Sequence, residues 1–250
     1  MIHYKTRDEI EVMREGGRRL REVVKELVPS LTVGVKTIDI DKKAEKLLIA
    51  HGGESSFNKV KGYRWSTCLP INEQVVHTPP SERVLQEGDV LTVDIGMYYK
   101  GFHTDYADTV IVGGKKDKKI EDFLQTGKNT LIKAIENIKV GGHIGKISEI
   151  IQREIEGHGY HVLKELTGHG VGRDLHEDPF IPGYVDKPIQ KTPVIKPGLV
   201  IAVEIIYSMG TEDIDYEQGN DWSIVTSDHS ISACFEHTVV VKENAVEVIT

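Results

Sequence analysis

Along the first thirty residues the apolar positions have the spacing of a helix. Ile10, Val12, Met13, Leu20, Val23, Val24 and Leu27 recur at mixed three- and four-residue intervals among charged residues, which gathers them on one face of an amphipathic helix. Thr6 followed by Glu9 reads as a capping box ahead of it, and Pro29 ends it. A second helix is predicted over about 37–51, closed by Gly52 and Gly53. Loop-forming residues dominate to about Asn72. A strand is then predicted at 90–99, a turn at Lys100 and Gly101, and a return strand at about 104–112. After Gly113 and Gly114 the order begins again. Ile120, Phe123, Leu124, Leu131, Ile132 and Ile135 predict a helix over 118–138, and another follows over 146–157. Strands are predicted near 161–166, 199–208, 222–227 and 234–241.

The second half of this pattern repeats the first. Val33-Gly34, Ile40 and His51-Gly52 recur as Val140-Gly141, Ile147 and His158-Gly159, at a constant offset of 107. LQEGDVLTVDI at 85–95 recurs as VIKPGLVIAVEI at 194–205, where Gly88, Val90 and Val93 match Gly198, Val200 and Val203 at an offset of 110 and Asp94 falls opposite Glu204. Two matched segments in the same order point to duplication. The fold class that follows is α+β: antiparallel strands with helices on one face, in two pseudo-symmetric helix-helix-strand halves of about 1–114 and 115–250. No linker is visible beyond 113–118, so the expectation is one domain over 1–250 with a fused sheet.

Charge narrows the partners. Lys plus Arg is 31 and Asp plus Glu is 39, a net charge of −8, which speaks against nucleic acid and anionic membrane. The one basic run, KKDKK at 115–119, reads as a solvated turn. The N-terminal residues lack an apolar core segment, and the apolar stretches VLTVDIGMYY and GLVIAVEIIYSMG are short and carry Asp94 and Glu204 at their centres. Neither a signal peptide nor a membrane span is expected. Cys68 and Cys234 have no CxxC spacing, which fits reduced thiols in a cytoplasmic chain.

Those central acids carry the candidate chemistry. Asp94 interrupts LTVDIG, Glu204 interrupts IAVEII, Glu236 interrupts SACFEHTVVV, and Asp105 precedes the strand in GFHTDYADTVIV. Burying an unpaired carboxylate costs on the order of several kcal/mol. One such acid is accounted for by the wet face of a strand. Four of them, two related by the repeat and none beside an Arg or Lys, call for a metal. GHGVGRDLHEDP adds His169 and His176, the first set among Gly168, Gly170 and Gly172, which let a backbone come close. Two Asp, two Glu and one His are too rich in carboxylates for a closed structural zinc site. They suit two bridged divalent ions that activate water for hydrolysis, with Mn, Fe, Co and Zn all compatible. HEDPF is not HExxH, GHGVG does not complete GxGxxG, and neither GxSxG nor GxxxxGK[ST] occurs.

At DIGMYYKGFHTDYADTVIVG, TGHGVGRDLHEDP, GLVIAVE and SACFEHTVVV the chain resembles the methionine aminopeptidases of the short type I form, over nearly its whole length. The resemblance implies the pita-bread fold and removal of N-terminal methionine from peptides and nascent chains, with a small second residue preferred. Carried over by position, Asp94, Asp105, His169, Glu204 and Glu236 are the metal ligands, Asp105 and Glu236 bridging both ions, with Glu204 also shuttling the proton. His77, in INEQVVH, and His176 match two histidines that touch substrate near the scissile amide. Tyr63, Cys68 and Trp222 match the wall of a methionine pocket. A monomer with transient ribosome association is also implied. The chain departs from the family at Thr78-Pro79-Pro80, where Gly follows the histidine, at Ile205, where Pro follows the glutamate, and at Trp65 and Pro70, where smaller polar residues are common. Two alternatives share the fold: an X-Pro aminopeptidase or dipeptidase, which commonly carries a separate N-terminal domain, and a non-catalytic binding module, which typically loses ligands.

Overall fold

Helix α1 (Arg7–Leu27) begins at the capping box: the Glu9 amide donates to Thr6 Oγ1 (3.4 Å) and the Thr6 amide to Glu9 Oε2 (2.9 Å). Its buried face is Met13, Leu20, Val23 and Leu27 together with Gly16 and Gly17. The two glycines extend the apolar stripe because the helix backbone itself is in contact: a Cβ at Gly17 would lie 2.0 Å from the Ile249 carbonyl oxygen. Thr6→Ala removes the cap and is expected to cost about 1 kcal/mol, read as a lower urea midpoint at unchanged slope.

The structure is a computed structural model that describes residues 1–114 and 117–250. Lys115 and Lys116, which begin the basic run, lie outside the described residues. After α1 come α2 (Thr37–Ala50), β1 (Glu54–Ser55), β2 (Thr67–Cys68), β3 (Gln74–Val76), β4 (Val90–Tyr99) and β5 (Phe102–Ile111). The second half holds α3 (Lys118–Glu136), α4 (Gly145–Gly157), β6 (His161–Val162), β7 (Thr167–Gly170), β8 (Glu177–Pro182) and β9 (Val200–Ser208). β10 (Ile214–Tyr216), β11 (Ile224–Thr226), β12 (Ser232–Val241) and β13 (Val246–Val248) complete it.

The main sheet runs β1-β4-β5-β12-β9-β7-β8, every pair antiparallel, and β10-β11-β3 form a small second sheet. Strand β12 joins the halves: Glu236 stands opposite Ala107 of β5 on one side and Glu204 of β9 on the other. Alternate residues of β4, Leu91, Val93, Ile95 and Met97, pack in one core with α1 and α2. Val203, Ile205 and Tyr207 of β9 and Phe235 of β12 pack in another with α3 and α4. The helices therefore cover one face, and the intervening positions leave by the other.

Short strands β1, β2, β3, β10 and β13 form where the sequence pattern predicts none, and the differences at β5, β6 and β7 have identifiable reasons. β5 starts at Phe102, two residues before the expected strand, because Lys100 (φ 47°) and Gly101 (φ 90°) both turn left-handed and Tyr99 pairs at once with Phe102. The strand expected at 161–166 is only His161–Val162. Pairing resumes in the glycine segment itself, since β7 lies between β8 and β9 at a spacing only glycine permits: a Cβ at Gly168 would lie 2.6 Å from the Ala202 oxygen, and one at Gly170 2.3 Å from that of Asp178. Strand β8 carries Pro179 and Pro182 and no apolar-polar alternation in its residue types, so the sequence pattern does not predict it.

Candidate active site

The strand registers bring the interrupting acids together. Asp94 pairs with Ala107, Gly96 pairs with Asp105, and both pairs span β4 and β5. Glu236 pairs with Ala107 and with Glu204, while His169 pairs with Ala202. Because side chains alternate along a strand, Asp94, Asp105, His169, Glu204 and Glu236 all leave the sheet on the face away from the helices. The small side chains between them, Gly96, Ala107 and Ala202, keep the space among the acids open.

One donor atom from each of Asp105, His169 and Glu236 lies within 4.8 Å of the other two. His169 Nε2 is 3.3 Å from Glu204 Oε1. His169 Nδ1 donates to the Gly170 carbonyl (2.9 Å), which fixes the tautomer and leaves the Nε2 lone pair facing the carboxylates. Burial, then the neighbouring His176, lowers the imidazole pKa to about 3, so His169 is neutral and its contact with Glu204 is not an ion pair. Glu236 Oε1 is buried without a hydrogen-bond partner.

Among the described residues these acids have no Lys or Arg to compensate them. Burial and mutual repulsion push Asp94, Glu204 and Glu236 well above the carboxylate range, and burial brings Asp105 to about 7. Among the described residues no Lys or Arg lines the cavity above them. A lone pair aimed at carboxylates, an orphaned carboxylate oxygen and four repelling acids fit a divalent cation, which reverses the local preference for protonated acids.

The cavity has a volume of about 290 Å³. His77 and His176 line it, as do Tyr63, Cys68 and Trp222, so the candidate ligands, histidines and pocket residues carried over from the resemblance border the same space. Surrounding protein lowers the pKa of both His77 and His176, which favours neutral rings at pH 7. The His176 ring stands 4.4 Å from that of His169. Further wall residues escaped the sequence pattern: Phe57, Val60 and Leu175, beside Ile206 and Cys234. The last two are detectable in hindsight, since each lies two positions from a buried acid on the same strand face. Phe57 and Val60 sit in and just after a single 3-10 turn (Phe57–Lys59), too short for a periodicity to read.

Tyr63 is fixed on all sides. Its hydroxyl donates to the Thr67 carbonyl (2.7 Å) and also lies 3.2 Å from Cys68 Sγ. Its ring meets Trp65 and Trp222 edge-on at 5.2 and 5.1 Å. The segment is anchored to α2 by Asp41 Oδ1, which accepts from Ser66 N, Thr67 N and Thr67 Oγ1 at 2.8–2.9 Å. Tyr63→Phe leaves the Thr67 carbonyl unpaired and is expected to cost about 1 kcal/mol of stability. Denaturant titration reads that loss.

The departures from the family pattern mostly turn away from the cavity. Ile205 is buried among the α3 and α4 residues on the opposite face. Trp65 backs Tyr63 without lining the space. His77 takes a left-handed backbone (φ 57°), and Thr78 after it is buried, its Oγ1 2.8 Å from Ser223 Oγ beside Trp222. Pro70 alone of these positions borders the cavity, with Val75 and Val76.

Residues 11–243 match the model of metallopeptidase family M24. The chain belongs to this family. Divalent metal is the cofactor that M24 membership implies, and the pita-bread fold is the one observed. Over 250 residues this M24 chain is 38% identical to methionine aminopeptidase 1 of Bacillus subtilis, covering all of itself and 99% of that protein. It is 36% identical to the methionine aminopeptidase of Mycoplasma capricolum, covering 98% of it. The crystal structure of methionine aminopeptidase from Thermotoga maritima superposes with a TM-score of 0.95 at 35% identity, over all of this chain and 99% of that one. A prolidase from Pyrococcus furiosus shares the fold at a TM-score of 0.78 and 23% identity, with only 65% of its chain covered. Among the described residues no helix is long and apolar enough to cross a membrane.

Proposed function

We propose that this chain removes the N-terminal methionine from peptides and nascent chains, using two divalent ions held by Asp94, Asp105, His169, Glu204 and Glu236. The observation that carries the reading is the cation-free face of buried acids, with Glu236 Oε1 orphaned, at the floor of a largely apolar cavity. The choice of methionine rests on likeness along the full length to methionine aminopeptidases. Strand order supports the bridging roles. Asp105 and Glu236 stand on the middle strands β5 and β12, with Asp94 on β4 to one side and Glu204 and His169 on β9 and β7 to the other.

Divalent metal at this face supplies Lewis acidity, lowering the pKa of water and polarising the scissile carbonyl. The chain's own groups do the rest. Glu204 takes the proton of the attacking water and passes it to the leaving amine. His176, neutral at pH 7, donates an N–H to the tetrahedral oxyanion. His77 orients the substrate backbone beside the scissile amide. Tyr63, Cys68 and Trp222, with Phe57 and Leu175, enclose the thioether side chain and exclude water. The substrate class is a free peptide N-terminus with a small second residue, met by a cytoplasmic monomer that associates with ribosomes at most transiently.

Peptide selectivity tests the reading. Metal-stripped protein refilled separately with Mn, Fe(II), Co and Zn is expected to release methionine from Met-Ala-Ser. It should cleave neither Ala-Pro-Ser nor N-acetylated Met-Ala-Ser. Preference for Ala-Pro-Ser would assign the fold and the ligands to an X-Pro peptidase instead.

A further inference from the structure

Lys5 and Glu177 form an ion pair, Nζ to Oε2 2.6 Å, with 4% and 11% of their side chains exposed. No other lysine or arginine pair among the described residues is as buried. Taking both charges out of water commonly cancels their attraction, so stability alone is a weak reason for such a pair. What the pair touches gives a better one. Lys5 lies just before α1, and its amide donates to the Gly198 carbonyl (2.7 Å), which fastens it beside the start of β9. Glu177 opens β8 and immediately follows His176. While Oε2 takes the lysine, Oε1 accepts from the amides of Arg173 (2.7 Å) and Asp174 (3.2 Å). One carboxylate thus folds the 173–177 turn back on itself and ties it to the N-terminal segment.

Two further contacts close this arrangement. Gly172 packs directly on the pair: a Cβ there would lie 2.5 Å from Lys5 Cε and 2.6 Å from Glu177 Oε1. The Gly172 carbonyl accepts from the His103 amide (2.7 Å), two residues before Asp105 on β5. The loop from β7 to β8 is therefore held on one side by the strand that carries Asp105 and on the other by Lys5. His176 projects from this loop into the cavity wall against His169.

We infer that Lys5, through Glu177, is a positioning residue for the peptidase reaction: the buried pair sets the loop that presents His176 to the substrate. The inference rests on the substrate-contacting role proposed for His176. Without the ammonium, the Glu177 carboxylate is buried with backbone donors only, and the turn relaxes toward solvent. A displacement of His176 by about 1 Å lowers turnover by about 10- to 100-fold.

The test is a double-mutant cycle on Met-Ala-Ser hydrolysis, with every protein refilled with Mn and its bound metal measured. Lys5→Met is expected to lower kcat/KM by about 10- to 100-fold at unchanged metal content. In the His176→Ala background the same substitution should add no further loss. Glu177→Gln, which keeps the acceptor for both amides, should reproduce the pattern and serves if Lys5→Met does not fold. Wild-type kcat/KM in both Lys5→Met and Glu177→Gln overturns the inference, and so does an equal factor lost with and without His176. Full activity of His176→Ala alone would instead remove the role assigned to that histidine, a result read independently of Lys5.

Discussion

Replacing Glu204 by Gln abolishes methionine release and leaves the metal-free protein at least as stable as the parent. The substitution keeps the shape of the side chain but removes its proton-accepting capacity. Glu204 lies directly across from Glu236 in the β9–β12 register, and His169 Nε2 points at it from 3.3 Å. Like charges facing each other across strands repel, and burial penalises each of them. Gln at this position relieves that penalty while removing the base, and kcat is expected to fall by about 10³-fold or more. Turnover of Met-Ala-Ser and the melting temperature of stripped protein measure the two halves of the prediction. Full activity would take Glu204 out of the chemistry. A large loss of stability without metal would deny that the acids repel one another.

The second large effect links pH to metal. In the metal-free chain the Asp105 carboxyl titrates at about 7, and those of Asp94, Glu204 and Glu236 lie well above their ordinary values. A group whose folded pKa is raised contributes stability at low pH that disappears as pH rises through the folded value. The share of Asp105 is largely lost by pH 7, and stripped protein should go on losing stability between pH 7 and 8 through Asp94, Glu204 and Glu236, by about 1.4 kcal/mol per pH unit for each proton that the folded chain still holds and the unfolded chain does not. The buried histidines do not obscure this window. His103 and His237, lowered to about 4, are neutral in the folded chain, and unfolded histidines are mostly neutral there too. With metal the slope reverses, because the ligands must be deprotonated to bind. Free metal at about 100 times Kd adds about 2.7 kcal/mol, and that increment should grow from pH 7 to 8. Thermal melts of stripped and refilled protein give both slopes. Stripped protein that gains stability over this interval would contradict the account.

Much of this site was legible because strand alternation writes a site into sequence. An acid between apolar neighbours, as at Asp94 and Glu204, marks the one position in two that faces away from the helices. The internal repeat pairs those acids from sequence alone. The α1 cap and the Lys100–Gly101 turn were equally local, each decided by residues within one turn of backbone. What stayed hidden depends on partners far apart in the chain. Phe57 and Val60 reach the cavity from a single short turn, and the neighbouring segment is held by the Asp41 anchor together with the pairing of β2 on β4. β7 counts as a strand only because neighbouring backbones close on its glycines. Lys5 and Glu177 are 172 positions apart, beyond the reach of any spacing rule. Ile205, a departure from the family pattern, lies on the helix side, where alternation from Glu204 places it.

The most direct measurement is a titration of metal-stripped protein with Mn in which bound metal and methionine release from Met-Ala-Ser are followed in the same sample. No release is expected from stripped protein, and activity should rise with occupancy to two ions per chain. A variant with Asp105 and Glu236 both changed to the amide should neither bind nor cleave. Release that survives complete stripping, or a chain that binds no divalent ion while remaining folded, would contradict it.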